Sequence, residues 1–434
     1  MDGVRLVRTE TLLALFAAGL VTLGGCSRDA GGGKTVAMAT RDGPYAKEVG
    51  DAVPRIEKAV GLKFKTPPKV ERRSKDEVRR FLEQQFNEQA PAEQLAGEET
   101  AARLFGLIPD TLRLRPFLLD LLAEQIIGYY DPKTKVLYVV NGAPEEYAGI
   151  TIMHELVHAL QDQYVNLDSL QHITGDDDRA AAIQAVIEGQ ATYEQIYLMS
   201  GGSGNIAAQL PGGWEQMRQE IREAQKTQPI FASAPMVIQE TLLFPYINGA
   251  DFVRRFHGHY GKGRLPFDSM PVSTEQVMHD TAYFGKPRDV PSTIELPTIA
   301  GTVDQNDFGE FGARLYLYQH TRDQDLSIRA SNGWDGDRYA LVKTPAGNAF
   351  VWVTVWDTPN DGAEFMSAID AVMRARFNIV PRVTGEHRHF EAPKRTIDVD
   401  VREVGGRPVV LYVDAPAGSN ASLVDFSKVK VVPR

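Results

Sequence analysis

The sequence predicts an α+β protein: a mainly helical larger domain with a small β-hairpin sheet, followed by a smaller C-terminal α+β domain. Three observations carry this expectation. At 434 residues the chain is longer than one ordinary core supports. Helical spacing of apolar residues dominates residues 44–300, broken by a single hairpin signal. From Gly333 onward, strand-like apolar runs surround one helix, which sets residues 301–434 apart.

The elements follow in order. Arg5 and Arg8 precede an apolar stretch from Thr11 to Leu23, closed by Gly24 and Gly25. That stretch falls short of the about 20 residues a membrane-spanning helix needs, and reads as an export signal. Cys26 is the only cysteine, so no internal disulfide can form. Leu23-Gly24-Gly25-Cys26 resembles a bacterial lipobox, in which the thiol is acylated and becomes the mature N-terminus. Residues 1–26 are therefore expected to be a lipoprotein signal, and 27–43 a flexible tether. The resemblance implies a bacterial cell-envelope protein, extracytoplasmic and held to a membrane by its N-terminal lipid.

The mature chain begins mostly helical, from Tyr45 to about Glu124. Ser74 and Glu77 form a capping-box start for a helix running toward Asn87. Leu62–Arg72, with its proline pair, suits an extended segment, and Leu118–Ile127 another helix. Ile126–Tyr130 and Val136–Val140 flank a turn-rich connector and read as a hairpin. Helical spacing returns at Ile152, Met153, Leu156 and Leu160. After the polar break at Asp176–Asp178, further helices are expected over Arg179–Met199, Gly213–Lys226, Ile238–Tyr260 and Thr274–His279. A domain boundary is expected between Pro297 and Phe308. Beyond it come a helix at Phe311–Thr321, strands at Tyr339–Lys343, Phe350–Val355, Thr396–Val404 and Pro408–Val413, and a helix at Asp361–Phe377. Trp334, Trp352 and Trp356 in this part read as core.

Net charge is −10, which argues against nucleic acid as a partner, because phosphate binding needs clustered Lys and Arg. No feature of the sequence specifies an oligomeric state.

The chemistry concentrates in His154-Glu155-Leu156-Val157-His158. Residues four apart share a helix face, so His154 and His158 can converge on one Zn2+ at about 2.0–2.1 Å. Glu155, rotated away from that face, flanks the metal as general base for its water. A catalytic zinc needs a third protein ligand, and Glu188 on the next helix is the best candidate. Glu194 and Asp176–Asp178 are its rivals, the acidic run also suiting a solvated helix start. Gly189 inside that helix suggests close approach to the helix bearing the histidines. Tyr246 and His279, with Tyr193 behind them, are candidate donors to the oxyanion of an acyl-transfer transition state. Strand Val136–Val140 offers a possible edge for an extended peptide.

The run from His154 to Gln163, followed by Glu188-Gly189-Gln190-Ala191, resembles the gluzincin metallopeptidases, whose third zinc ligand is a helical Glu. The chain is also similar to a little-characterised group of bacterial metalloproteases. That likeness rests on Gly128-Tyr129-Tyr130-Asp131-Pro132, Phe244-Pro245-Tyr246 with Gly249, Ser273-Thr274-Glu275-Gln276 with His279, Gly333–Arg338, and Trp356-Asp357. The resemblance implies a zincin-like fold for residues 44–300. It departs from the thermolysin pattern at Thr192, where a carboxylate would orient a zinc histidine, and Asp162 is the candidate to replace it.

The expected function is zinc-dependent hydrolysis of peptide bonds in proteins or peptides outside the cytoplasmic membrane. Two alternatives remain open: a lipid-anchored binding or scaffold protein without turnover, and an amidase acting on cell-wall peptide.

Overall fold

The computed structural model describes residues 43–432 except 90–91, 144, 172, 203–218, 220–221, 224–225, 227 and 420–422. The export signal, Cys26 and nearly all of the tether lie outside the described residues, as does most of the expected helix Gly213–Lys226. The architecture is α+β, with its multi-stranded sheet in the C-terminal part.

Helix α1 (Ala46–Val60) buries Val49, Ala52, Val53, Ile56 and Val60, a spacing of three or four that makes one apolar stripe. Gly61 ends it in the left-handed conformation, φ 80°, with its N–H bonded to Glu57 O. Strand β1 (Lys69–Arg73) follows the proline pair. Helix α2 (Lys75–Gln89) begins at the expected capping box: Ser74 N donates to Glu77 Oε2 at 2.7 Å and Glu77 N to Ser74 Oγ at 3.3 Å. Helices α3 (Ala92–Leu104) and α4 (Leu114–Gln125) complete the helical entry.

The hairpin forms from β2 (Gly128–Asp131) and β3 (Val136–Val140), paired antiparallel. β1 adds to β3 in parallel, giving the order β1-β3-β2. This corrects one expectation. Val136–Val140 is the central strand, with hydrogen bonds taken on both sides, so it has no edge for a peptide.

Helix α5 (Glu145–Asp162) packs on this sheet, and Gly128 lets it come close: a Cβ there would lie 2.8 Å from Thr151 Cγ2. Helix α6 (Asp177–Met199) is buried around nearly its whole circumference from Ala182 to Ile196, which marks it as the central helix. Helix α7 (Met236–Tyr260) crosses it where Gly189 meets Gly249. A Cβ on Gly189 would sit 2.2 Å from Gly249 C, and one on Gly249 would sit 2.0 Å from Ala185 O. The small residues of α6 therefore admit α7, not α5 as the sequence suggested.

The short helices α8 (Thr274–Met278) and α9 (Asp280–Phe284) lead to strands β4 (Thr293–Glu295) and β5 (Thr302–Asn306). Helices α10 (Gly309–Thr321) and α11 (Gln324–Ser331) precede the long hairpin β6 (Trp334–Thr344) and β7 (Gly347–Trp356). After α12 (Pro359–Phe377) come β8 (Arg382–Thr384), β9 (His387–Ala392), β10 (Arg395–Val404) and β11 (Arg407–Pro416). The sheet order is β5-β6-β7-β11-β10-β9-β8, its defined pairs antiparallel. Its strands alternate between two cores. Trp352, Phe350 and Tyr412 face α10 and α12, while Val351, Val353 and Leu411 face Ile294 of β4 and Val431 of β12 (Lys430–Val432), which pair with each other. All three expected core tryptophans are buried.

The two parts share packing across the expected boundary. Phe105, just past α3, inserts its ring among Phe308, Tyr316, Phe350 and Trp352 at centroid distances of 4.4–5.5 Å. At the start of α6, the buried Asp178 accepts from Thr274 N at 3.0 Å and from its hydroxyl.

Candidate metal centre

His154 and His158 project from one face of α5, and Glu188 meets them from α6. The three atoms that converge are His154 Nε2, His158 Nε2 and Glu188 Oε2. They lie 3.2 Å apart between the two histidines, 3.1 Å from His154 to Glu188, and 3.3 Å from His158 to Glu188. Donors placed at 2.0–2.1 Å around a tetrahedral ion are separated by about 3.3 Å. The triangle is thus the size of one face of a zinc coordination shell. All three side chains are buried.

Hydrogen bonds from behind set the ring orientations. His158 Nδ1 faces Gln161 Oε1 at 2.8 Å, and Gln161 Nε2 donates to Ile187 O and Gln190 Oε1, each at 3.0 Å. Ile187 O can only accept, so the amide cannot be turned over, and His158 Nδ1 must carry the proton. That leaves Nε2 with a lone pair toward Glu188. His154 Nδ1 meets Gln195 Oε1 at 3.0 Å, and Gln184 Nε2 donates to Glu188 Oε1 at 2.9 Å. Three lone-pair donors therefore face one another with their backs fixed. The electrostatics agree that positive charge belongs between them. Burial disfavours charge on Glu188, yet His158 and His154 hold its carboxyl down at about 2. Burial also works to lower His158, but Glu188 overrides it and raises the ring to about 9, so without a metal ion a proton on Nε2 supplies that charge, and a cation would displace it to reach the lone pair. A divalent cation at the centre satisfies all three donors at once, and the imidazole and carboxylate set suits zinc. The residues fit the group.

Glu155, next to His154 on α5, lines the same cleft as the triangle. Its Oε2 accepts from Tyr130 N at 2.7 Å, while its Oε1 accepts nothing from the described residues. Burial raises its carboxyl, and His158 and His154 pull it back, leaving it at about 6. A small cleft opens here, with Tyr130, Pro132, Leu167, Ile187 and Tyr246 around His154, His158, Glu188 and Glu155. Tyr246 is carried in by α7 one turn before Gly249, and its ring stacks on His154 at 6.1 Å between centroids. The glycine contact in the fold therefore has a consequence at the site: it lets α7 approach closely enough to wall the cleft with Tyr246.

Several expected residues are elsewhere. His279 pairs with Glu310, Nε2 to Oε1 at 2.9 Å, and does not line the cleft. It follows Thr274, which sits at Asp178, and ten residues of α6 separate Asp178 from Glu188, about 15 Å of helix. His279 is thus removed from the list of oxyanion donors. Tyr193 stacks on Tyr197 with an interplanar angle of 9° and also lies outside the cleft. Glu194 turns toward His257, 3.9 Å away, and burial raises its carboxyl to about 7. Asp176 caps α6 by accepting from Arg179 N at 3.0 Å. Asp162 does not orient a histidine. It accepts from Tyr130 Oη at 2.7 Å and Lys135 Nζ at 2.6 Å, binding the hairpin to α5. The residues that hold His158, Glu188 and His154 are Gln161, Gln184 and Gln195, which the sequence pattern did not single out. Their positions carried a signal: three after His158, four before Glu188 and seven after it, each on the face of a ligand.

Among proteins of known families, a model described as a domain of unknown function (DUF8575) matches residues 296–425. That span contains all seven strands of the large C-terminal sheet and the helices among them, and none of the residues of the candidate metal centre. No curated protein and no solved structure matches the chain.

Proposed function

We propose that the protein is a zinc-dependent peptidase with a zincin-like catalytic part, working outside the cytoplasmic membrane and held there by lipid on Cys26. The observation that carries this reading is the triangle of His154, His158 and Glu188, with donor atoms 3.1–3.3 Å apart, and Glu155 beside it. A zinc ion held by those three residues supplies Lewis acidity toward a peptide carbonyl and acidifies a water. Glu155 takes the proton of the attacking water on Oε1 while Tyr130 N–H keeps Oε2 in place. The same carboxyl then delivers that proton to the leaving amine nitrogen. Tyr246, whose ring lies against His154 in the same cleft, is the candidate to steady the developing oxyanion. Gln161, Gln184 and Gln195 hold the ligand atoms in register so that little reorganisation accompanies the reaction. The apolar walls at Leu167 and Ile187 limit water around the reacting groups.

The test pairs metal content with turnover. Purified protein should hold about one zinc per chain, which His158→Ala removes. Glu155→Gln should keep the zinc and abolish hydrolysis of a denatured protein substrate. Metal content unchanged in His158→Ala would refute the site. Hydrolysis surviving in Glu155→Gln would refute the mechanism. Zinc bound with no hydrolysis of proteins or cell-wall peptides by the unaltered chain would favour the scaffold reading.

A further inference from the structure

A second cluster of carboxylates lies where the helical part meets the C-terminal sheet. Glu275 comes from α8, Asp289 from the loop after α9, and Asp357 from the residue that follows β7. One oxygen from each lies within 4.8 Å of the other two. The backbone fixes these positions. Asp289 N donates to Ala282 O at 3.0 Å, Gln276 Nε2 donates to Asp289 O, and Asp357 N donates to Gly333 O at 2.8 Å.

Glu275 is the telling member. It is 5% exposed, and its Oε2 is buried with no hydrogen-bond partner. Of the neighbouring cations, His279 is engaged by Glu310, and Arg407 is shared between Asp357 at 3.5 Å and Asp335 at 3.4 Å. A buried carboxylate oxygen without a donor is costly, and two further acids face this one. Burial, reinforced by Glu310, Asp289 and Asp357, pushes the Glu275 carboxyl up to about 10.

We propose that Glu275, Asp289 and Asp357 form a calcium site that fastens α8 to the end of β7. Oxygens bound to Ca2+ at 2.3–2.6 Å span at most about 5 Å, which matches the observed spread. The all-oxygen donor set selects a hard cation over zinc, and water reaches the remaining coordination positions from the side of Asp357, whose side chain is 35% exposed. The ion ties together three chain segments from both sides of the expected domain boundary. α8 in turn grips the N-terminus of α6 through Thr274 and Asp178, so the clamp reaches the central helix.

The experiment uses zinc-replete full-length protein passed over a chelating resin, with zinc content followed in parallel. Calcium titration should show one site per chain with a dissociation constant on the order of 10⁻⁴–10⁻³ M. Terbium should occupy the same site and luminesce on excitation of the adjacent Trp356. Saturating calcium should raise the melting temperature by several degrees. Glu275→Gln and Asp357→Asn should each weaken calcium and terbium binding at least tenfold and lose the thermal shift, with an unchanged near-ultraviolet spectrum showing that they fold. His158→Ala should lose zinc and keep calcium, which separates this site from the metal centre. Absence of calcium binding at millimolar concentration, or binding unchanged in both carboxyl variants, overturns the proposal. So does a site that takes magnesium and refuses calcium.

Discussion

Gln161→Ala tests whether the metal centre is held by amides and not by a carboxylate. Gln161 is 4% exposed, and its one amide joins three groups: His158 Nδ1 at 2.8 Å, and Ile187 O and Gln190 Oε1 at 3.0 Å. Truncation frees the His158 ring to turn about its side-chain torsions and leaves those three groups without their partner. Loss of a residue that orients a metal ligand typically weakens metal binding about 10–100-fold, or about 1.4–2.7 kcal/mol. The buried groups left behind should cost folding stability about 1–3 kcal/mol, part of it recovered by water entering the space. Zinc competition against a fluorescent chelator at neutral pH reads the first quantity, and urea unfolding of the zinc-free protein reads the second. Asp162→Ala is the contrast, because Asp162 bonds Tyr130, Lys135 and Leu167 N but no histidine. It should destabilise the hairpin and leave zinc affinity within about threefold. Reversal of that order, with zinc affinity falling in Asp162→Ala and holding in Gln161→Ala, would refute the assignment.

Gly249→Ala should cost about 3 kcal/mol by urea unfolding, since its Cβ would meet Ala185 O at 2.0 Å and the obstacle is backbone. Gly258→Ala, on the same helix with nothing within 4 Å, should instead stabilise by about 0.5–1 kcal/mol, so equal effects at the two positions would disprove the crossing. His320 supplies a pH signature: burial, with Arg376 beside it, lowers its pKa to about 4, while its Nε2 donates to Phe105 O at 2.7 Å. The unfolded ring binds its proton near pH 6.5 and the folded ring does not, so acid favours unfolding. Stability should fall by about 2 kcal/mol, allowing for partial exposure, as pH drops from 6.5 to 4. His320→Gln should lose that component of the pH dependence, measured as the difference between the two unfolding profiles. A wild-type and a variant profile that run parallel through this range would show the ring titrating normally.

The sequence made the candidate metal-binding residues legible because their chemistry is written in local spacing. His154 and His158 need only one helix turn, and Glu188 needs only a second helix of the right length. What holds those residues was harder to see. Gln161, Gln184 and Gln195 are common polar residues, and each becomes informative only once α5 and α6 are known to face each other. Gly189 gave the right inference, a close helix approach, with the wrong partner. Spacing reports that a helix is thin on one side, and the neighbour that uses the space is decided by tertiary packing. Strand Val136–Val140 failed for a related reason. Its hairpin partner was adjacent in sequence, while β1, some sixty residues earlier, was recognised only as extended chain, so the strand seemed to have a free edge. His279 was drawn to the site by its chemistry alone, and Glu310, which holds it, comes from beyond the expected domain boundary.

Helix α6 explains why these features stand or fall together. Its N-terminus carries Asp178, which receives Thr274 and so connects to the carboxylate cluster. Its middle carries Glu188 of the candidate metal centre and Gly189 for α7, and its next two turns carry Gln195 behind His154. A helix buried on every side cannot rotate to improve one of these contacts without spoiling the rest, because close-packed interiors transmit displacement. A turn of 20° about its axis, at the roughly 5–6 Å radius where side-chain atoms lie, moves Glu188 Oε2 by about 2 Å. That is two-thirds of the separation between the donor atoms, enough to destroy a tetrahedral face. The glycine crossing, the glutamine supports and the acid-lined junction with the C-terminal sheet therefore act on one variable, the rotational setting of α6. Any one of them, weakened, should appear as lost metal affinity before it appears as a lost fold.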